Sequence, residues 1–183
     1  LQNPCANLAQ AVTAAANDSH DGNIIAVFSG EFDDPEKVML KENIRIYGGI
    51  ESSEDHVLTT AETSPSKINF GSQLVMHGDS FHVENLWILG QFGGDNRTIT
   101  IFMDLYAKDV TFKSVIASVT SENNPIRALA SEVNHLSFVD SNLTLTTLVN
   151  SEKHKNERSE NYLVQLENNQ ETSYLKGRHS GYK

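Results

Sequence analysis

Apolar and polar residues alternate in a short phrase that recurs along this chain: an apolar residue, one residue of any kind, a second apolar residue, and then a small or polar corner. An alternation of period two places successive apolar side chains on one face of a β-strand and does not fit a helix. The phrase therefore predicts four strands that each bury one face. The four copies are Asn43-Ile44-Arg45-Ile46-Tyr47-Gly48, Asn85-Leu86-Trp87-Ile88-Leu89-Gly90, Asp109-Val110-Thr111-Phe112-Lys113-Ser114 and His135-Leu136-Ser137-Phe138-Val139-Asp140.

The last three phrases follow one another at a nearly constant interval. Leu86, Val110 and Leu136 hold the same place in their phrases and are separated by 24 and 26 residues. A near-fixed period in this range is typical of proteins whose repeats stack and bury a continuous core. The chain is therefore predicted to be an all-β parallel β-helix, with Leu86, Val110 and Leu136 on neighbouring parallel strands.

This register also predicts two columns of polar residues at the corners of the coils. Stacked polar side chains at such corners can hydrogen-bond neighbouring coils and satisfy backbone groups at the bend. We interpret both columns as structural. One column contains Asn43, Asn85, Asp109 and His135, and the other contains Gly48, Gly90, Ser114 and Asp140.

An open stack of coils needs a cover at its end, and the first twenty residues are suited to that role. Residues 1–20 are predicted to form a short capping helix, with Asn3 as N-cap and with Cys5, Leu8 and Val12 on its apolar face. The rest of the chain completes a single domain over residues 1–183. It is divided into coils over 23–148, which include a polar excursion over 51–66, a polar loop over 150–161 and a further coil over 162–183.

The end of the sequence shows no capping helix or closing strand, so we expect the natural chain to continue beyond Lys183.

The composition of the 183 residues limits the functions that they can have. A net charge of −10 among 183 residues disfavours a nucleic-acid partner, which needs clustered Lys and Arg. The longest apolar run, residues 24–28, is too short to span a bilayer. A single cysteine excludes an internal disulfide and a Cys-based zinc site.

The opening of the chain resembles that of right-handed parallel β-helix proteins of the pectin-lyase-like superfamily. The residues that carry the resemblance are the alanine-rich helix, Asp21-Gly22, the strand from Asn23, Ser29-Gly30-Glu31-Phe32, Val38-Met39-Leu40 and the phrase ending in Gly48-Gly49. Gly48-Gly49-Ile50 is also similar to part of the Gly-Gly-Ala-Ile signature of the polymorphic outer-membrane proteins. The resemblance implies the N-terminal part of an autotransporter passenger, a virulence-associated adhesin that is secreted or held at the bacterial cell surface.

The enzymes of that superfamily carry motifs that this sequence lacks. The paired aspartates of pectin methylesterases, the Asp-rich signatures of polygalacturonases and the Arg-centred motif of pectate lyases do not occur. Because the fold is shared by enzymes and non-enzymes, the site must decide the function. The sequence therefore favours a non-catalytic protein, and no catalytic residue, metal ion or cofactor is predicted.

His82 and Glu84 are the first candidates for a binding site. If Phe81 and Val83 point inward, the side chains of His82 and Glu84 share the outward face of one strand. Such a pair can contribute to a metal site or to acid–base chemistry. The alternative is an ordinary pair of polar side chains on a solvated strand.

Trp87 and Asp109 complete the set of candidate binding residues. Trp87 occupies an outward position, where its ring can stack on a sugar or pack beneath a loop. Asp109, together with Asp104 and Asp140, can supply the two carboxylates that a glycoside hydrolase requires. These aspartates form part of the alternative interpretation of the chain.

Two functions remain open. The first is a non-catalytic extracellular or cell-surface β-helix that binds a host or neighbouring surface, its partner being a receptor protein or a glycan. The second is a polysaccharide-binding or polysaccharide-degrading β-helix, such as a pectin-lyase-like enzyme or a tailspike-like domain. A search for released reducing sugar, combined with a glycan array, separates the two.

Overall fold

The computed structural model describes residues 4–16, 23–41, 43–52, 58–60, 64–93, 100–122, 126–148, 162–166 and 171–173. Within these ranges the chain forms one helix and fourteen strands. In chain order they are α1 Leu8–Ala16, β1 Asn23–Phe28, β2 Gly30–Asp34, β3 Val38–Lys41, β4 Ile44–Ser52, β5 Leu58–Thr60, β6 Ser66–Phe70, β7 Leu74–Glu84, β8 Leu86–Gly93, β9 Thr100–Lys113, β10 Ile116–Glu122, β11 Ile126–Val139, β12 Asn142–Leu148, β13 Tyr162–Leu166 and β14 Glu171–Ser173.

The strands form two sheets, called here the large sheet and the small sheet. The large sheet has the order β1-β4-β7-β9-β11-β13, with β3 and β14 added beside β7 and β11 and β5 beside β4. The small sheet has the order β12-β10-β8-β6-β2. From β6 to β12 the chain alternates between the sheets, and the pairings are parallel except that between β4 and β5. The prediction of an all-β chain with parallel strands is confirmed, and this strand order is compatible with a parallel solenoid.

The core consists of apolar side chains that stack in columns across the large sheet. One column contains Ile44, Phe81, Val110 and Leu136, which are partners on successive strands and are all buried. The next column ends with Phe112 and Phe138, whose rings stack with centroids 5.1 Å apart. Since adjacent parallel strands lie about 4.8 Å apart, equivalent side chains on them come into direct contact and are buried from water.

The predicted register is wrong for the second phrase. Leu86 lies in β8 of the small sheet, where its partner is Ser66, while the residue beside Val110 is Phe81. The cause is Asn85, whose φ of 53° forms a turn between β7 and β8. The alternation of apolar residues continues through that turn, so β7 and β8 have the same pattern although they belong to different sheets.

Asn85 belongs to a corner column with Ser114 and Asp140. All three residues have positive φ, at 53°, 53° and 49°, a conformation that Asn and Asp tolerate better than most residues. Backbone hydrogen bonds join neighbouring corners, from the Asn85 amide to the Lys113 carbonyl at 3.0 Å and from the Ser114 amide to the Val139 carbonyl at 2.9 Å. The column predicted to contain Asn85 is therefore corrected: Ser80 takes its place between Asn43 and Asp109.

The N-terminal helix is shorter than predicted and begins later. It starts at Leu8, and the side chain of Asn7 accepts a hydrogen bond from the Gln10 amide at 2.9 Å, so Asn7 and not Asn3 is the local cap. Val12 and Leu8 are buried against the first strands as predicted. Cys5 precedes the helix and is exposed, so its assignment to the apolar face is wrong.

Part of the predicted excursion over 51–66 is regular structure. β4 extends to Ser52, and β5 pairs with it in antiparallel fashion. β13 and β14 pair with β11 and so extend the large sheet into the predicted last coil. The predicted polar loop, residues 150–161, lies outside the described residues. No helix of the described ranges is long and apolar enough to cross a membrane.

Candidate functional site

The outer face of the large sheet is the surface that presents the predicted pair His82 and Glu84. Their inward neighbours Phe81 and Val83 are buried, as the alternation predicts. Glu84 is the register partner of Tyr47 on β4 and of Lys113 on β9. Three adjacent strands therefore bring an imidazole, a carboxylate, an ammonium group and a phenol ring together.

Glu84 lies at the centre of this group. One carboxylate oxygen is 3.0 Å from His82 Nε2, and the other is 2.7 Å from Lys113 Nζ. The His82 ring also faces the ring of Tyr47, with centroids 5.6 Å apart. The His82 and Glu84 side chains are 28% and 27% exposed, so the group is partly shielded from water but remains open to a ligand.

The contacts hold Glu84 in its charged form. The hydrogen bond from Lys113 is the main cause that lowers the pKa of the Glu84 carboxyl below its usual 4.5, the hydrogen bond with His82 adds to it, and burial opposes both. The same contact with Glu84 raises the pKa of Lys113. Because the Glu84 pKa is lowered in the folded state, the pair stabilises the protein above pH 4.5 and loses that effect as the pH falls through the lowered pKa.

This electrostatic state suits binding better than proton donation. A general acid that works near neutral pH needs a carboxyl with a raised pKa. Glu84 has the opposite shift, and its two oxygens already accept hydrogen bonds from Lys113 and His82. The group can present a fixed pattern of donors and acceptors to a partner surface.

Trp87 lies on the small sheet, apart from the His82–Glu84 pair. It is half-buried between the buried residues Leu86 and Ile88, which agrees with its predicted outward position. The Lys67 ammonium lies 4.9 Å from the centroid of the Trp87 ring, a cation–π distance. The Lys67 side chain, from the neighbouring strand β6, therefore covers part of the ring.

Asp109 is exposed on β9, at the register position of Ser80 and His135. The residue before it, Lys108, forms an exposed ion pair with Asp79 at 2.9 Å. The hydrogen bond with Asp79 is the main cause that raises the pKa of Lys108, and the charge of Asp109 adds to it. Asp109 therefore belongs to a charged corner of the large sheet.

The three aspartates proposed for hydrolysis do not meet. Asp104 and Asp109 are five residues apart on β9, and Asp140 follows β11 by one residue, five beyond the partner of Asp109. At about 3.3 Å per residue, five extended residues span roughly 16 Å. That exceeds the separation of about 5–9.5 Å at which two carboxylates act on one glycosidic bond.

The structure brings Asp104 beside a different carboxylate. A hollow of about 180 Å³ opens between β9 and β11, and we call it the Ala130 hollow, after the small residue between its charged walls. Asp104 is the register partner of Ala130, and Glu132 lies two residues further along β11. The wall includes Asp104, Tyr106, Arg127, Ala130 and Glu132.

Tyr106 was missed by the sequence interpretation, as were Lys113 and Glu132. Tyr106 is 56% exposed, and the ring of His77 meets it edge-on, with centroids 5.0 Å apart and planes at 85°. The sequence feature that could have identified Tyr106 is its place two residues after Asp104, on the same outward face of the strand. Its neighbours on β7 and β11 follow only from the register of the sheet.

Metal binding has no support from the described residues, where no three His, Cys, Asp or Glu side chains are grouped closely enough to hold an ion. Lys108 and Asp79 form an ion pair, and His82 and Glu84 share a hydrogen bond; neither pair belongs to a larger ligand set among the residues described. Comparison with known proteins adds no assignment: no protein-family model, no curated protein and no solved structure matches the chain.

Proposed function

We propose that this protein is a non-catalytic, extracellular or cell-surface binding protein, an adhesin or passenger domain that attaches to a host or neighbouring surface. The observation that carries the proposal is the outer face of the large sheet, on which parallel strands display charged and aromatic side chains in adjacent positions. The group of Tyr47, His82, Glu84 and Lys113 is one such patch. A protein or glycan receptor is the proposed partner.

The proposal includes a finer description of the fold, a right-handed parallel β-helix. Its support is the alternation of the chain between two parallel sheets from β6 to β12. Crossovers between parallel strands of one sheet are right-handed in about 98% of cases. Stacked coils of this kind present long, even outer faces, which suit attachment to an extended surface.

Surface binding by the purified chain tests the proposed function. We expect saturable binding of the labelled protein to fixed epithelial cells or to intact bacterial cells. We also expect no release of reducing sugar from a panel of neutral and acidic polysaccharides. The double substitution Glu84→Gln with Lys113→Gln should weaken cell binding, while Glu36→Gln, an exposed change away from the outer face, should not. Failure to bind either kind of cell would contradict the proposal.

A polysaccharide-degrading protein is the second candidate, and one observation favours it. The Asp104 and Glu132 carboxyls line the same hollow. Their register places the two Cα atoms roughly 8 Å apart, from a strand spacing of about 4.8 Å and a rise of about 3.3 Å per residue. Side chains on one face at that Cα distance can hold their carboxylates within the range of about 6.5–9.5 Å that inverting glycoside hydrolases use. Turnover that is lost in Asp104→Asn and in Glu132→Gln, with folding intact, would promote this candidate.

A further inference from the structure

The inference concerns the Ala130 hollow, and it rests on the proposed binding function. We propose that the hollow and the adjoining Tyr106 ring form a subsite for one sugar unit of a neutral glycan. The His82–Glu84–Lys113 group lies on the same outer face but is separate from this subsite.

The first support is the exposed aromatic ring. With 56% of its surface exposed, Tyr106 is among the most exposed large hydrophobic side chains of the described part. The edge-on contact with His77, at 5.0 Å between centroids, restrains the ring from one side. A held aromatic face is the surface on which the C–H groups of a pyranose ring pack, because the ring is apolar and its hydroxyl stays hydrated.

The second support is the shape of the surface beside that ring. Ala130 has the smallest side chain of the hollow, and the longer side chains of Asp104, Tyr106 and Glu132 stand around it. The volume of about 180 Å³ is below the roughly 300–1,000 Å³ of pockets that enclose a drug-sized ligand. The hollow therefore accepts a single ring, and the rest of the ligand must run along the outer face. A chain of sugars fits that requirement.

The third support is the hydrogen-bonding capacity of the wall. Asp104 and Glu132 make no hydrogen bond or ion pair with another residue of the described ranges, in contrast to Glu84, whose oxygens are both engaged. Arg127, which already has an interaction partner, also lines the hollow. Sugar hydroxyls donate hydrogen bonds, so they can satisfy the Asp104 and Glu132 carboxylates.

Charge restricts the glycan further. Two carboxylates against one guanidinium leave the hollow with an excess of negative charge, and the whole chain carries −10. An acidic sugar chain would meet repulsion at the subsite and from the protein as a whole. The ligand assigned to the hollow is therefore a neutral glycan and not a uronic-acid or sulfated polymer.

A glycan microarray that contains neutral and acidic oligosaccharides tests the proposal. We expect the unmodified protein to bind neutral glycans in preference to acidic ones. For a neutral glycan that binds, Tyr106→Ala and Ala130→Phe should each lower the affinity at least tenfold, the first by removing the ring and the second by filling the hollow. Tyr106→Phe should keep most of the affinity. The control Ile24→Ala changes another exposed apolar side chain, on β1, and should have no effect.

Circular dichroism and thermal unfolding of each variant exclude misfolding as the cause of lost binding. If no neutral glycan binds, or if Tyr106→Ala and Ala130→Phe both bind as the unmodified protein does, the inference is overturned. A cell-binding assay then distinguishes the absence of a glycan subsite from the absence of the proposed binding function. Attachment that survives enzymatic removal of surface glycans and the Tyr106→Ala change would refute the glycan subsite and leave the binding function standing.

Discussion

The N-terminal end of the molecule and its central strands are held together by different kinds of contact. In the central strands, from β7 to β11, equivalent apolar side chains stack on one another, as Phe81 does on Val110. At the N-terminal end, two buried polar residues, Asp34 and Ser66, bind backbone groups of other elements. The exposed fractions of these two side chains are 1% and 0%.

The difference follows from what each region has for neighbours. A central strand has a parallel partner on both sides, so its backbone groups are paired and only side chains remain to be buried. The start of α1 leaves amides without partners within the helix. Asp34 accepts from the Leu8 and Ala9 amides, at 2.9 and 3.1 Å. A buried polar side chain is therefore needed where the series of parallel strands ends and the helix begins.

Removing an aromatic ring from the central stack should have the largest effect. Phe112 is 1% exposed, lies beside Val83 and stacks on Phe138. We expect Phe112→Ala to lower the free energy of unfolding by about 3–5 kcal/mol, because it removes the buried ring and leaves a cavity. Urea unfolding measures this change. Val139→Ala, an exposed position, should change it by less than about 0.5 kcal/mol. Equal effects of the two changes would contradict the stacked core.

The sequence alone predicts the members of this stack but not all of their neighbours. Ile44, Val110 and Leu136 were placed inward by their period-two alternation, and all three are buried in one column. The alternation is the same on both sheets, however, so it cannot say that Leu86 belongs to the small sheet. That assignment depends on the left-handed backbone of Asn85, a conformation that an asparagine permits but does not require.

The candidate site shows the same limit. His82 and Glu84 share a face because they are two residues apart on one strand, and the sequence predicts this directly. The contact of Glu84 with Lys113 joins residues 29 positions apart. It depends on the register between β7 and β9, and therefore on the lengths of the intervening turns. The Ala130 hollow depends likewise on the register between β9 and β11.

Loss of the Asp34 carboxylate should have the next largest effect. Asp34→Ala leaves the Leu8 and Ala9 amides without their acceptor, so we expect the free energy of unfolding to fall by about 1–3 kcal/mol. Asp34→Asn keeps one acceptor oxygen and should cost less. Amide hydrogen exchange gives the local readout, because the Leu8 and Ala9 amides should exchange faster in Asp34→Ala. Unchanged exchange at both amides would contradict the cap.

Substitution of Ser66 should lower the free energy of unfolding slightly less, because it leaves one backbone amide, that of Gly49, without its acceptor. The Ser66 hydroxyl accepts from the Gly49 amide at 2.7 Å and lies 2.9 and 2.6 Å from the Val27 and Phe28 carbonyl oxygens. We expect Ser66→Ala to lower the free energy of unfolding by about 1–2 kcal/mol, measured by urea unfolding. Ser118→Ala, a half-buried position of the small sheet, is the matched control. A neutral result for Ser66→Ala would show that the N-terminal end does not depend on this contact.

Ser131 provides the smallest and most discriminating test, because it is a buried polar residue on a central strand, β11. It is 3% exposed and lies beside Leu105, and within the described chain its hydroxyl has no hydrogen-bond partner. An unpaired buried hydroxyl lowers the free energy of unfolding, while an alanine methyl group has no polar atom to desolvate and suits an apolar stack. We therefore expect Ser131→Ala to raise the free energy of unfolding by up to about 1 kcal/mol, the opposite sign from Ser66→Ala. A loss of stability in Ser131→Ala would show that the central strands also depend on buried polar contacts and would remove the contrast between the two regions.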